Sequence, residues 1–565
     1  MSTTSEKQMK MAGRLALGAT ILALAASPAL AELPWGLVEK GTFSHSANFD
    51  EGASEISAFD PATNKLFVVN GELGGLDVLD VSDPANLSKI GFMSAGGGEV
   101  TSAAVYNNVV AVTSSLGDGV DGTLSFFDTT TNAQLGSTFN IGPTPDMVTF
   151  TPDGSKILIA HEGEPDYGAG LDPEGSIGIF TPTGGVSTTS VAALDSSDML
   201  LADFNAFDSQ KTMLQNNGVR IFGDPDNTPG FTAADTTVSE DLEPEFITVS
   251  SDSTMAWVTL QENNAVAFVD LATNSISDVK SLGFKDHSVA GRGLDGSDKD
   301  GVINIATWPV KGMYMADALA NYEVGGNTYL VMANEGDDRG EDERIEDLTL
   351  DSTAFPNAAT LQTDAAIGRL KVSKIDGDTD DDGAFEELYS FGARSFTIRD
   401  SVTGDVVFDS GDMIEQMIAK EIPAYFNSDN DDPEFDTKSD SQGPEPEGIT
   451  VGTVNGTTLA FVGMEDVGGV MVFDITDPNS VTYESYLNDR DWVAEMGGDF
   501  SNSHTGPEGL LFISEFDSPT GNPLLVVSYE VTGTTAIYEV TGVPEPTSLA
   551  LLSLGGLLLA RRRRA

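Results

Sequence analysis

The chain has 565 residues, with 28 lysines and arginines against 89 aspartates and glutamates, four histidines and no cysteine, for a formal net charge of −61. A surface that negative repels nucleic-acid phosphate and anionic lipid and attracts cations. The missing cysteines exclude disulfides, thiolate zinc sites, a cysteine nucleophile and iron–sulfur clusters, while 60 glycines and 40% apolar residues suit a folded, turn-rich protein.

Residues 1–31 read as a secretory signal. Lys7, Lys10 and Arg14 precede the apolar run Leu15 to Ala26, and Ala29-Leu30-Ala31 offers a small-x-small site for signal peptidase. The folded region expected is 32–542, opening on the β-type segment Trp35 to Ser44. Units of one layout follow, each with an acid, a short β-run, a turn, a second β-run and a third ending near Asp. They occupy 53–84, 98–115, 144–166, 242–274, 315–338, 443–478 and 506–530. Alternating Val, Ile, Phe and Thr between Gly, Asn and Asp turns mark strands, and three to four strands at a spacing of ~45 residues mark propeller blades. The last unit has three strands of its own, at 508–514, 523–530 and 535–541, so Trp35 to Ser44 is expected to supply its fourth and close the ring. The expected fold is all-β: a seven-bladed β-propeller with two long insertions, closed by an N-terminal strand in the last blade.

The insertions fall at about 187–240, where apolar spacing allows a short helix, and at about 338–442. The second holds charged loops, a strand pair around Gly392 to Asp400 and a helix expected from Asp412 to Lys420. Insertions in propellers tend to emerge on one face, the binding face.

The acids lie in step. Aligning the units places Glu55, Glu99, Asp146, Glu245, Asp317, Glu447 and Glu508 just before the first strand of each. In a propeller that strand lines the central channel, so these carboxylates would ring one mouth of it. A second set, Glu72, Glu162, Glu262, Glu335 and Glu465, with Glu530 in the longer last unit, ends the next strand. Antiparallel pairing brings that end back beside the start of the first strand. Such a crowd of hard oxygen donors either holds Ca²⁺, which takes 6–8 oxygens, or caps backbone amides locally in each blade. Crowding alone would raise the pKa of each acid.

A second candidate is the run from Asp376 through Asp378, Asp380 and Asp382 to Gly383, which matches the first half of a calcium loop. Tyr389 stands where an EF-hand needs glutamate, so Glu386 or Glu387 would complete the shell; the other reading is a solvated acidic hairpin tip. Arg339 and Arg394 stand out in a chain poor in cations and would serve either an anion or ordinary ion pairs. His45, His161, His287 and His504 lack metal-ligand spacing, although His161 and His504 adjoin ring acids. No phosphate-cradling glycine loop, GxSxG elbow or HExxH is present.

Near the C-terminus, Pro544-Glu545-Pro546, a short apolar run from Thr547 to Ala560 and Arg561, Arg562, Arg563 and Arg564 together resemble the PEP-CTERM sorting signal of Gram-negative bacteria. Membership implies recognition by an exosortase-type enzyme, loss of the tail, only transient membrane contact through segment 543–565, and delivery to the cell surface or extracellular matrix. A plain tail anchor is the alternative. In the core, the segments LEPEFITVS, LQENNAVAFVDL, ANEGDDRGE, GARSFTIRD, FDSGD, GPEPEGI and GPEGLLFI resemble the choice-of-anchor I family, which is similar also to an animal mesenchyme-specific surface glycoprotein group. That resemblance implies a YVTN/haem-d1-like seven-bladed propeller with interchangeable anchors. Two functions are compatible with it: a calcium-binding surface module whose ligand is an extracellular polysaccharide or protein, or a calcium-dependent phosphoesterase in which Arg339 or Arg394 steers the ester.

Overall fold

Two-residue turns set the hairpins. Asn107-Asn108, Gly325-Gly326 and Asn455-Gly456 all have positive φ at both positions, the backbone of a type I′ turn that matches the twist of the flanking strands. The computed structural model describes residues 34–542 apart from Ala47. The expected signal peptide 1–31 and the sorting segment with Pro544, Glu545, Pro546 and Arg561 to Arg564 lie outside the described residues.

Seven four-stranded antiparallel sheets follow one another. Sheet 1 comprises Ser57–Asp60, Lys65–Asn70, Gly75–Asp80 and Ser88–Ser94, and sheet 2 Glu99–Tyr106, Val109–Ser115, Asp121–Asp128 and Gln134–Pro143. Sheet 3 comprises Pro145–Phe150, Ile157–His161, Ser176–Phe180 and Leu200–Asp203, and sheet 4 Ile247–Val249, Met255–Leu260, Ala265–Asp270 and Ser275–Ser281. Sheet 5 takes Leu319–Val324, Asn327–Asn334, Ser395–Asp400 and Val406–Asp409, and sheet 6 Pro446–Val454, Thr457–Met464, Val470–Asp474 and Thr482–Leu487. In sheet 7, Pro507–Ile513, Leu524–Tyr529 and Thr534–Gly542 are joined by Trp35–Ser44 from the other end of the chain.

The first strand of each sheet touches that of the next, and the first strand of sheet 7 touches that of sheet 1. One apolar cluster fills each seam. Leu66 and Val68 of sheet 1 pack with Leu524 and Val526 of sheet 7, whereas Phe67 and Val69 of the same strand pack with Val110 and Val112 of sheet 2. Successive side chains of a strand point to opposite faces. A middle strand buried on both faces is therefore a continuous apolar run, not the alternation expected from the sequence.

His45, just past the N-terminal strand, links sheet 1 to sheet 7. Its Nδ1 lies 2.8 Å from Asp77 Oδ2 in sheet 1 and its Nε2 lies 2.9 Å from Thr535 Oγ1 in sheet 7. Replacing His45 by Ala should lower the unfolding free energy by about 2 kcal/mol, since buried partners lose their hydrogen bonds. Urea unfolding at pH 8 checks this.

The long excursions differ from expectation in one respect. Residues 338–442 are not a single insertion: Ser395–Asp400 and Val406–Asp409 return as the third and fourth strands of sheet 5. The residues between strands two and three build a small unit, with the strands Asp342–Arg344 and Lys371–Ser373 paired and an apolar cluster around Ile345, Ile367 and Leu388. Likewise, part of 187–240 is strand, Leu200–Asp203, and the helices there are Thr188–Val191, Lys211–Asn216 and Val238–Asp241. The expected helix near 412–420 is Met413–Glu421, with Ile414 and Ile418 buried against sheets 5 and 6.

Candidate metal centre at the acidic ring

Each acid of the first set sits at the start of its sheet's first strand. In sheets 3, 6 and 7 that strand opens Pro145-Asp146, Pro446-Glu447 and Pro507-Glu508, and in each the pairing register shifts right after the proline. Such a bulge re-aims a side chain. Asp146, Asp317, Glu447 and Glu508 join Ile56, Thr101 and Val148 of neighbouring first strands in lining a cavity of 360 Å³. The axial space is thus apolar along the strands and acidic where they begin.

Burial is the main force on these carboxyls, and their neighbours add to it. Asp146 is pushed up to about 6 by burial and by Glu262, and Asp317 to about 8 by burial and by Asp146. Glu55, Glu245, Glu447 and Glu508 are raised well above the usual carboxylate range, again by burial first and next by acids of the second set: Glu530 on Glu55 and Glu508, Glu262 on Glu245, and Glu465 on Glu447. Glu99 is exposed and adds its charge to Glu55 and Glu530.

In the second set, Glu162, Glu335, Glu465 and Glu530 are raised by burial and then by neighbouring acids. Glu262 presses on Asp146, Glu162 and Glu245. Glu72 does not join them: it is exposed on its turn and accepts a hydrogen bond from Asn48 Nδ2 at 2.6 Å. Several buried carboxylate oxygens have no hydrogen-bond partner, among them Oε2 of Glu245, Glu262, Glu447 and Glu508. Glu245 Oε1 accepts from Gln261 N at 3.3 Å, so its local cap engages one oxygen and leaves the other without a donor.

Ligand oxygens converge to within 4.8 Å in three groups at the ring: Glu162, Glu243 and Glu262; Asp317, Glu335 and Glu447; and Glu335, Glu445 and Glu465. Sequence reasoning missed Glu243 and Glu445, as well as Asp337, raised to about 7 chiefly by burial, and Asp466, raised mainly by burial. A signal was available. Glu-Pro-Glu occurs at 243–245 and 445–447, and Glu162-Gly-Glu164 and Glu335-Gly-Asp337 close the second strands of sheets 3 and 5. Gly336 has φ 93°, and a Cβ there would lie 1.8 Å from Gly392 N, so only glycine fits between the two acids.

The calcium-loop candidate converges in part. Oxygens of Asp378, Asp380 and Glu386 lie within 4.8 Å of one another, so Glu386 is the residue that folds back. Glu387 instead pairs with Lys311 at 2.7 Å. Asp376 turns to Arg220 Nη2 at 3.1 Å, and Asp382 Oδ1 accepts from Ala384 N at 2.9 Å.

The arginines are engaged. Arg339 Nη1 lies 2.8 Å from Glu243 Oε1, and its guanidinium lies over Phe222 at 4.1 Å. Arg394 is buried and donates to Glu415 Oε1 at 2.8 Å and to the carbonyls of Ser439 and Ser441 at 2.8 and 2.6 Å. None of the histidines joins the triads: His161 Nε2 accepts from Gly142 N at 3.2 Å, His287 Nδ1 lies 2.7 Å from the Arg292 carbonyl, and His504 stacks on Tyr529.

An all-β chain of repeated sheets carrying an acidic centre where their first strands meet is thus the class of protein on hand. The Choice-of-anchor I domain matches residues 55–478, and the chain belongs to that family. It is 33% identical over 199 residues to Gigasin-3a of Magallana gigas, covering 33% of this chain and 69% of that one. It is 28% identical over 310 residues to the Mesenchyme-specific cell surface glycoprotein of Strongylocentrotus purpuratus, covering 47% of this chain and 36% of that protein's length. Among solved structures, Kuenenia stuttgartiensis Hydrazine Synthase matches with TM-score 0.45 and 12% identity over 89% of this chain and 100% of the other. The β-propeller domain of Myceliophteria_thermophila Cps50 (Swd1) matches with TM-score 0.42 and 7% identity over 90% and 100%.

Proposed function

We propose that the protein is an exported surface module, a seven-bladed β-propeller that binds Ca²⁺ at its acidic ring and recognises an extracellular polysaccharide or protein. The observation that carries the metal is the set of buried, unpartnered oxygens on Glu245, Glu262, Glu447 and Glu508. Carboxylates removed from water without a donor or a cation are costly, and a hard divalent ion supplies what they lack. The propeller reading is supported by the cyclic succession of seven sheets and their seam-filling clusters. Surface display is supported by family membership and by the similarity to a cell-surface glycoprotein. Processing by signal peptidase and an exosortase-type enzyme in a Gram-negative bacterium is the route that the terminal segments suggest. The 378–386 loop, with Asp378, Asp380 and Glu386 converging, is a further Ca²⁺ candidate.

A phosphoesterase would need a cation free to take the ester. Arg394 is committed to Glu415 and to the carbonyls of Asp295, Ser439 and Ser441, and Arg339 is buried in ion pairs with Glu243 and Asp241, although its Nε and Nη2 have no hydrogen-bond acceptor. The binding module is therefore the reading favoured. Direct titration of the EDTA-stripped protein should show Ca²⁺ binding, and a phosphomonoester panel with Ca²⁺ should release no phosphate. Absence of Ca²⁺ uptake sinks the metal, and turnover restores the enzyme.

A further inference from the structure

We infer that divalent cations occupy two of the seven seams between sheets, one at each Glu-Pro-Glu tripeptide, and clamp the paired sheets together; this rests on the cation-binding reading of the ring. The two positions repeat each other. At the seam of sheets 3 and 4, Glu162 follows the second strand of sheet 3, Glu243 precedes the first strand of sheet 4, and Glu262 follows its second. At the seam of sheets 5 and 6, Glu335, Glu445 and Glu465 hold the corresponding places. Each triad takes one acid from one sheet and two from the next, so a shared ion would bridge the seam.

The other five seams lack the third ligand. Two residues before the ring acid they carry Ala53, Gly97, Thr144, Met315 and Gly506, where sheets 4 and 6 carry Glu243 and Glu445. At the seam of sheets 4 and 5, Gln261 Nε2 donates to Glu335 Oε2 at 3.0 Å.

Independent of the acidic clustering, atoms at both seams are unfinished. Glu262 is only 7% exposed, and its Oε2 has no hydrogen-bond partner. Asp466, fully buried beside Glu445, pairs through Oδ1 with the Lys438 ammonium 3.0 Å away, while its Oδ2 has no partner. One protein cation already serves each triad: Arg339 at Glu243, 2.8 Å away, and Lys438 near Glu445, 3.8 Å away. Three carboxylates with one cation leave charge for a divalent ion, and all-oxygen ligation favours Ca²⁺ over softer metals.

The test counts ions. Full-length protein is stripped with EDTA and titrated with Ca²⁺ by calorimetry, alongside Glu262→Gln, Glu465→Gln and the double variant. Each single variant should lose one equivalent and the double should lose two, while any ion in the 378–386 loop stays constant throughout. A single variant that loses both equivalents points to one shared axial ion and overturns the inference, as does a variant that loses none. A wild type that takes up no Ca²⁺ at all removes the cation-binding reading itself. Because a Gln variant that unfolds would mimic loss, Lys438→Gln is measured in each single-variant background. Relieved of a competing ammonium, the seam of sheets 5 and 6 (in Glu262→Gln) should bind several-fold tighter, and the seam of sheets 3 and 4 (in Glu465→Gln) should not change. Equal effects at both seams, or none at either, would overturn the assignment.

Discussion

In EDTA the protein should melt at a lower temperature at pH 8 than at pH 5.5, and saturating Ca²⁺ should remove most of that difference by raising the pH 8 value. The sign follows from the ring. Asp146, Glu164, Asp337 and Asp317 are held at about 6, 7, 7 and 8 in the fold, first by burial, against ordinary values of 3.8 for aspartate and 4.5 for glutamate. The folded state thus binds more protons than the unfolded one between those limits, and stability falls as pH rises through them. The stabilisation is fully present below about pH 4 and is lost progressively up to about pH 8. A metal reverses the preference, because it binds the ionised carboxylates and competes with their protons. At 100 times its Kd a single ion adds about 2.7 kcal/mol, which a thermal melt resolves as a rise of a few degrees.

A paired substitution separates this from the general relief of negative charge on acidification. Glu447→Gln with Glu508→Gln should raise the melting temperature in EDTA at pH 8, because two mutually repelling buried charges are gone. The same variant should respond less to Ca²⁺ than wild type. Gains without metal and losses with it are hard to obtain from carboxylates that only cap loops: removing a cap lowers stability in both conditions. Unchanged melting in EDTA together with an unchanged Ca²⁺ response would rule out Glu447 and Glu508 as cation ligands.

Much of this site was legible because seven units place an acid at one position. Aligning them singled out Glu55 through Glu508, and antiparallel pairing was enough to bring Glu162, Glu262, Glu335 and Glu465 beside them. The alignment failed where the chemistry crosses between units. Glu243 and Glu445 have no counterpart in five of the units, so a search for shared positions passes over them, although each completes a triad with an acid of the preceding sheet. Glu72 fits the sequence distance, yet its turn carries it outward to Asn48. The strand pattern misled for a related reason: Leu66 to Val69 serve two seams at once and show no polar face. Sheet 5 was harder still, because the chain leaves after Asn334 and returns only at Ser395. Contiguity in sequence and membership of a sheet are different things there, and only the pairing of Ala333 with Phe396 reunites them.

Replacing Arg394 by Met should destabilise the fold by about 3–5 kcal/mol, the cost of leaving a buried partner charge uncompensated. The guanidinium is 4% exposed, and its donors reach Glu415 on the helix Met413–Glu421 and two carbonyls in the segment leading to sheet 6. Glu415 is itself buried and takes a second hydrogen bond from Asn427 Nδ2 at 2.9 Å, so the pair is the hub of a network that seats the helix against sheets 5 and 6. Lysine in place of Arg394 should recover only part of the loss, since an ammonium cannot span the fork of carboxylate and carbonyls that the planar guanidinium reaches. Urea unfolding in saturating Ca²⁺ measures both variants. Arg394 also has φ 50°, a left-handed backbone that costs energy for a non-glycine residue and persists because side-chain contacts hold it. Loss of those contacts should release the strain as well as the ion pair. If Arg394→Met unfolds like wild type and instead abolishes the binding of inorganic phosphate, the residue is an anion receptor and the network reading fails. If stability falls and phosphate has no effect on either protein, its role is to anchor the insertion to the sheets.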